Sequence, residues 1–222
     1  AGSSPYTVQI RTITVRNGNA FLNDAGTKTN VTLSRLNLKM KMNLASASFN
    51  IRLASGDMTV AAPAFRDVKG QVRGIINYDE GRLALDKCEM TAEDTRLRLE
   101  GSIGIMTGGG LDLQLTAQMG RRSLRRITDI LARGKKAKGP VIQSTARISG
   151  TLKDPIMSGS VALSDIDVRG MRLHDAETHV GYRNGNITVA AEQWKLSKGL
   201  QQVTVQEISI EASYQDGGLQ IG

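Results

Sequence analysis

Apolar and polar residues alternate along much of this chain. The clearest stretch is Leu36-Asn37-Leu38-Lys39-Met40-Lys41-Met42-Asn43-Leu44, where five apolar residues alternate with four polar ones. A helix would scatter those five around its circumference, whereas a strand puts them all on one face. Phe49–Leu53, Leu111–Ala117 and Ile208–Tyr214 read the same way. Each predicts a strand with one covered face and one facing water, the pattern of an antiparallel sheet. Runs buried on both faces, as parallel α/β sheets need, are absent.

A second pattern is laid over the alternation. The motif apolar-x-x-Gly-x-apolar-x-apolar occurs seven times, with its glycine at Gly18, Gly56, Gly81, Gly109, Gly159, Gly185 and Gly217. With 40% apolar residues and 24 glycines, roughly one or two chance matches are expected. Asn17-Gly18, Asn184-Gly185 and Asp216-Gly217 have the chemistry of two-residue hairpin loops, where both central residues take positive φ. In that geometry the residue three before the glycine faces the residue two after it, and the residue five before faces the residue four after. The outer position is Ile13, Ile51, Ile76, Val180 and Ala212 in five copies, and Gly104 and Asp154 in two. The expectation is seven hairpins sharing one apolar face, hence a repetitive sheet rather than an enzyme core.

At 222 residues the chain is read as a single repetitive β unit over 1–222, interrupted once. The longest gap between motif glycines, from Gly109 to Gly159, holds the one helical pattern, with Leu124, Ile127, Ile130 and Leu131 on one stripe. A short helix at 121–133 and a loop to 139 are therefore expected between two β halves. This segment also holds nearly all of the net charge of +8, because 121–138 carries eight cations against Asp129 alone. The high pI reports one local segment. The motif copy Leu219-Gln220-Ile221-Gly222 at the end of the sequence suggests a fragment of a longer repetitive protein.

The sequence offers little chemistry. No catalytic or metal-ligating constellation stands out, and no cofactor is indicated. His174 and His179 lie five residues apart, an offset that separates them on a regular strand. Cys88 is the single cysteine, so no intrachain disulfide forms, and it reads as a structural thiol. Gly108-Gly109-Gly110 lacks the Lys-Ser/Thr that would make it a phosphate loop and reads as a turn. Trp194 reads as a packing residue. Nucleic acid is disfavoured as a partner, because the charge is local and aromatics are 4% of residues. No apolar run reaches the length of a membrane-spanning helix, and Ala1-Gly2-Ser3-Ser4-Pro5 is not a signal peptide.

Tyr-x-x-Gly units feeding alternating strands resemble the AsmA and TamB superfamily of bacterial envelope proteins. So does the run Leu111-Asp112-Leu113-Gln114-Leu115-Thr116-Ala117, a short helix, then Gly150-Thr151-Leu152-Lys153-Asp154-Pro155-Ile156-Met157-Ser158-Gly159-Ser160-Val161. The resemblance spans about residues 10–222, and its motifs are degenerate. It implies a taco-like half-pipe with an apolar inner face. It implies a periplasmic body anchored to the inner membrane by a helix not present in this sequence. It further implies phospholipid transfer between membranes, and an outer-membrane assembly protein as partner.

An alternating sheet must cover its apolar face, either with a second layer or with a guest. Flexible Leu and Met side chains suit a moving acyl chain. The expected lining is Leu36, Leu38, Met40, Met42, Leu44, Ile51, Leu53, Ile76, Tyr78, Leu83, Leu85, Leu111, Leu113, Leu115, Val180, Tyr182, Ile187 and Val189. Arg121, Arg122, Arg125, Arg126, Lys135 and Lys136 are candidates for anionic head-group contact. The other reading is a structural or interaction scaffold with a closed, dry core.

Overall fold

The computed structural model describes residues 10–26, 28–62, 65–106, 108–123, 141–168, 171–199, 201–215 and 218–221. One antiparallel sheet of thirteen strands accounts for nearly all of them, each strand pairing with its neighbours in chain order. The strands are β1 (Thr12–Asp24), β2 (Thr29–Asn43), β3 (Ser48–Ala62), β4 (Phe65–Asp79), β5 (Arg82–Ala92), β6 (Thr95–Gly104), β7 (Gly110–Met119), β8 (Ile142–Thr151), β9 (Pro155–Val168), β10 (Met171–Arg183), β11 (Asn186–Lys198), β12 (Gln201–Gln215) and β13 (Gly218–Ile221). The mainly-β expectation holds. β1 and β13 stand at the two margins, so the sheet is open rather than closed into a barrel. Among the described residues, substantial contacts join only adjacent strands, and no second sheet packs on this one. An open sheet this wide twists and curls, because each strand carries the same right-handed twist.

The glycine motif resolves into three different structures. At Gly81 and Gly185, and between the strands that flank Gly217, the expected register is present. Tyr78 faces Leu83 and Ile76 faces Leu85; Tyr182 faces Ile187 and Val180 faces Val189; Tyr214 faces Leu219 and Ala212 faces Ile221. The turn residues Glu80-Gly81 and Asn184-Gly185 have the positive φ values that a two-residue loop requires, 44° and 78°, and 51° and 78°. At Gly109 a turn forms, but it is a five-residue loop, with Ile103 rather than Met106 facing Leu111.

Gly18, Gly56 and Gly159 are not turns at all, which corrects the seven-hairpin expectation. They lie inside β1, β3 and β9. Asn17, at φ 54°, forms a bulge rather than a loop. Gly56 leaves room for Arg35, whose Nε lies 2.7 Å from where a Cβ would stand. Gly159 lets β8 approach, because a Cβ there would sit 2.2 Å from the Thr145 carbonyl oxygen.

Bulges recur inside the strands. Asn17, Arg35, Lys87 and Glu207 all take left-handed backbone within β1, β2, β5 and β12. Arg35, Lys87 and Glu207 each interrupt an apolar spacing of three, Leu33 to Leu36, Leu85 to Cys88 and Val205 to Ile208. In a regular strand that spacing would turn the second residue to the opposite face. The extra bulge residue restores it to the same face and bends the strand.

The expected insertion falls between β7 and β8. A helical turn opens at Arg121–Ser123. The remainder of the expected helix and the basic loop lie outside the described residues, as do Arg125, Arg126, Lys135 and Lys136. The turn is held by Asp94, between β5 and β6. Its carboxylate accepts the Arg122 N–H at 2.8 Å and the Ser123 N–H at 2.9 Å, together with the Ser123 hydroxyl. This is an N-cap supplied from a distant part of the chain.

Candidate functional site

Directly opposed residues of a sheet share a face, so the registers trace which side chains form a surface. One row runs Ile13–Met40–Ile51–Ile76–Leu85–Gly101–Leu113–Ile148–Met157–Tyr182–Ile187, from β1 to β11 without a polar residue. The register continues through Ala212 to Ile221. The row's one position without a side chain is Gly101. Its φ is 125°, and a Cβ there would meet the Asp112 carbonyl oxygen at 2.0 Å.

Two flanking rows widen this strip. On one side run Met42–Phe49–Tyr78–Leu83–Ile103–Leu111, with Phe49 and Tyr78 stacked at 4.8 Å between ring centres. On the other run Val15–Leu38–Leu53–Gly74, then, past the bulge in β5, Cys88–Leu99–Leu115–Ala146–Gly159–Val180–Val189. At about 4.8 Å per strand, the ten steps from β1 to β11 extend about 48 Å. Two-residue steps along the strands give the three rows a breadth of about 14 Å.

Every expected lining residue except Leu44 lies on this face. Leu44 is in the β2–β3 turn and is 50% exposed, so it lines nothing. Leu36 and Leu113 are buried, and the others are half-buried. Residues of a filled core would be buried almost throughout. Here, among the described residues, the cover comes from neighbouring strands alone. One margin differs. Val141, Ile166, Leu173 and Ala176 form a buried cluster, with Trp194, Met119 and Leu163 packed against it. The Trp194 indole N–H donates to the Thr178 hydroxyl at 3.3 Å, so Trp194 is a packing residue here.

The lining expected from the sequence left out Ile13 and Val15, which the motif had placed on the apolar face, and Phe49, Leu97, Leu99, Ile103, Ile148 and Met157. Most belong to alternating runs that are themselves legible. Those next to a bulge are found only by reading an apolar spacing of three as a one-residue insertion.

The opposite face is polar. Lys41, Asn50, Asn77, Ala84, Ser102, Asp112 and Ser149 run in register between two apolar rows. Ion pairs lie there, including Arg147–Asp112 at 3.1 Å and a Glu89 carboxylate shared by Arg73 at 2.9 Å and Arg96 at 3.1 Å. Of the basic segment, Arg121 and Arg122 are described, and Arg122 is exposed.

Cys88, His174 and Asp94 each have a structural partner. The Cys88 thiol is half-buried on the apolar face, and burial pushes its pKa up, with Asp86 and Glu100 adding to the effect. It is a thiol, not a thiolate nucleophile, at neutral pH. His174 Nε2 lies 2.7 Å from the Ser197 hydroxyl. Burial alone would raise the pKa of Asp94. The Ser123 hydroxyl and the Arg122 and Ser123 N–H groups outweigh burial and hold the carboxyl below the usual carboxylate range. Among the described residues, no group of three His, Cys, Asp or Glu side chains could hold a metal ion.

Comparison of the chain with family models, with curated proteins and with solved structures finds no match.

Proposed function

We propose that this chain is a lipid-binding segment of an envelope bridge, in which phospholipid acyl chains lie along the apolar face and are shielded from water. The observation that carries the reading is the polar-free row from Ile13 to Ile187, half-buried at most positions, in a sheet with no second layer among the described residues. A soluble surface does not leave an apolar strip of this size uncovered without a guest or partner. Each methylene removed from water contributes about 0.8 kcal/mol, without any directional contact. The strip runs unbroken across eleven strands, which suits sliding rather than fixed capture. Its length of about 48 Å exceeds the about 15 Å depth of one leaflet's hydrocarbon, so a lipid occupies part of it at a time.

A periplasmic setting, an inner-membrane anchor and an outer-membrane assembly partner follow from the family resemblance and belong to the same proposal. Non-enzymatic function is part of it as well. The scaffold alternative draws on the buried Val141–Leu173 cluster, where one margin already packs like a small core.

Uptake of a fluorescent phospholipid by the purified chain tests the proposal. Lipid fluorescence comigrating with the protein in gel filtration is the expected result. Absence of uptake, with unchanged elution in the presence of lipid, would favour the scaffold.

A further inference from the structure

The polar face carries a second feature, independent of the apolar strip. Where β3, β4, β5 and β6 run side by side, Arg52, Arg73, Lys87 and Arg98 wall a shallow dish of about 440 Å³ with Glu89 as its one carboxylate. The pairing explains how they meet. Arg73 opposes Glu89, and Glu89 opposes Arg98, in one line across three strands. Lys87 joins them because it is the extra residue of the β5 bulge, held at φ 52°.

Two details set this cluster apart from an ordinary solvated face. Lys39 stands directly opposite Arg52. Like charges so opposed destabilise a sheet. The neighbour of Arg52 on its other side is Ile75, which offers no compensation. Among the described residues, none of Lys39, Arg52 and Lys87 has a carboxylate within ion-pair distance. Glu89 is already committed to Arg73 and Arg96, and Arg98 turns to Glu100. The lining of the dish therefore carries four cations against one carboxylate, with Asp86 alongside, opposite Ile75, and Arg52 and Lys87 outside any ion pair.

We propose that this dish on the polar face of β3–β6 binds a phosphate-type oxyanion. Guanidinium forks match tetrahedral oxyanions through paired N–H donors, and an ammonium adds a mobile point charge. Bound oxyanion also relieves the repulsion between Lys39 and Arg52. A free phosphate and the phosphate of a lipid head group offer the same chemistry, and the dish faces away from the strip that takes acyl chains.

Calorimetric titration of the whole chain with inorganic phosphate at low ionic strength, alongside the doubly substituted Arg52→Gln/Lys87→Gln chain, is the test. Binding to the unaltered chain that weakens by about tenfold or more in the variant is expected. Arg52→Lys/Lys87→Arg, which keeps both charges, retains most of the affinity. Thermal unfolding verifies that both variants fold. A second arm sediments the chain with phosphatidylglycerol and phosphatidylcholine vesicles. Retention on the anionic vesicles alone, lost in Arg52→Gln/Lys87→Gln, assigns the site to head groups; phosphate binding without such retention assigns it to a soluble anion. Heat of phosphate binding that is absent, or equal in the Gln variant and the unaltered chain, overturns the proposal. Substitutions on the apolar face leave the phosphate titration unchanged, so failure of the lipid reading and failure of this one are separable.

Discussion

Replacing Ile51 and Ile76 together by asparagine separates an open lipid surface from a filled core. The two residues oppose each other across β3 and β4, in the middle of the central apolar row. Both are half-buried. Full burial of an isoleucine is worth about 1.5–3 kcal/mol, so at half burial each side chain contributes about 1 kcal/mol to folding. The new asparagines would form a cross-strand amide pair like that of Asn50 and Asn77, one position away on the other face. Such a pair restores about 0.5 kcal/mol. The expected loss of stability is therefore about 1–2 kcal/mol in urea unfolding, with the m-value unchanged. The effect on lipid is larger. If about four methylenes of a tail lose apolar contact, about 3 kcal/mol is forfeited, or somewhat more than a hundredfold in affinity. Fluorescent-phospholipid titration reads it. A loss of 4 kcal/mol or more, as for polar groups placed in a dry core, would refute the open-face reasoning. Unaltered lipid affinity in a folded variant would refute the function.

Other positions give sharper contrasts. Leu38→Ser weakens lipid uptake by about tenfold or more, whereas Leu44→Ser, in the exposed turn, leaves it unchanged. Gly101→Val forces a side chain against the Asp112 carbonyl at φ 125°, and chemical denaturation registers a loss of about 3 kcal/mol. Asp94→Ala removes the cap of the Arg121–Ser123 turn, costs about 1 kcal/mol, and speeds amide exchange at Arg122 and Ser123. The same amides report pH. Because Asp94 has a depressed folded pKa, its contribution is complete above the unfolded value of about 3.9 and is lost as pH falls through the lower folded value. Protection at Arg122 and Ser123 in the unaltered chain therefore holds at neutral pH and falls away below about pH 4.

Much of the fold was legible because strand alternation is a local signal. Leu36 to Met42 already shows which side chains share a face, and seventeen of the eighteen expected lining residues lie on the apolar one. The glycine motif was less faithful. A two-residue turn and a one-residue bulge both demand positive φ, so both recruit Asn and Gly in the same apolar frame. Asn184-Gly185 and Asn17-Gly18 differ only in whether the chain then folds back, and that depends on partners far away in sequence. Other turns carried a readable signal that the motif did not cover. The Asp24 carboxylate accepts the Gly26 N–H at 3.0 Å, and the Asn43 side chain accepts the Ala45 N–H at 3.1 Å, both of them side-chain turns that Asn and Asp favour. The Arg52 dish was beyond sequence reading, because its four cations come from four strands and meet only through the register.

Photo-crosslinking reads out directly whether acyl chains lie on the apolar face. A phospholipid with a diazirine in its acyl chain, incubated with the chain, irradiated and mapped by peptide mass spectrometry, reports which face meets the tail. Adducts are expected on Ile51, Ile76, Leu85, Leu113 and Tyr182 along the central row, and none on the opposite-face Lys41, Asn77 and Ser149. Adducts divided equally between the two faces, or none above a lipid-free control, would contradict this placement of the tails.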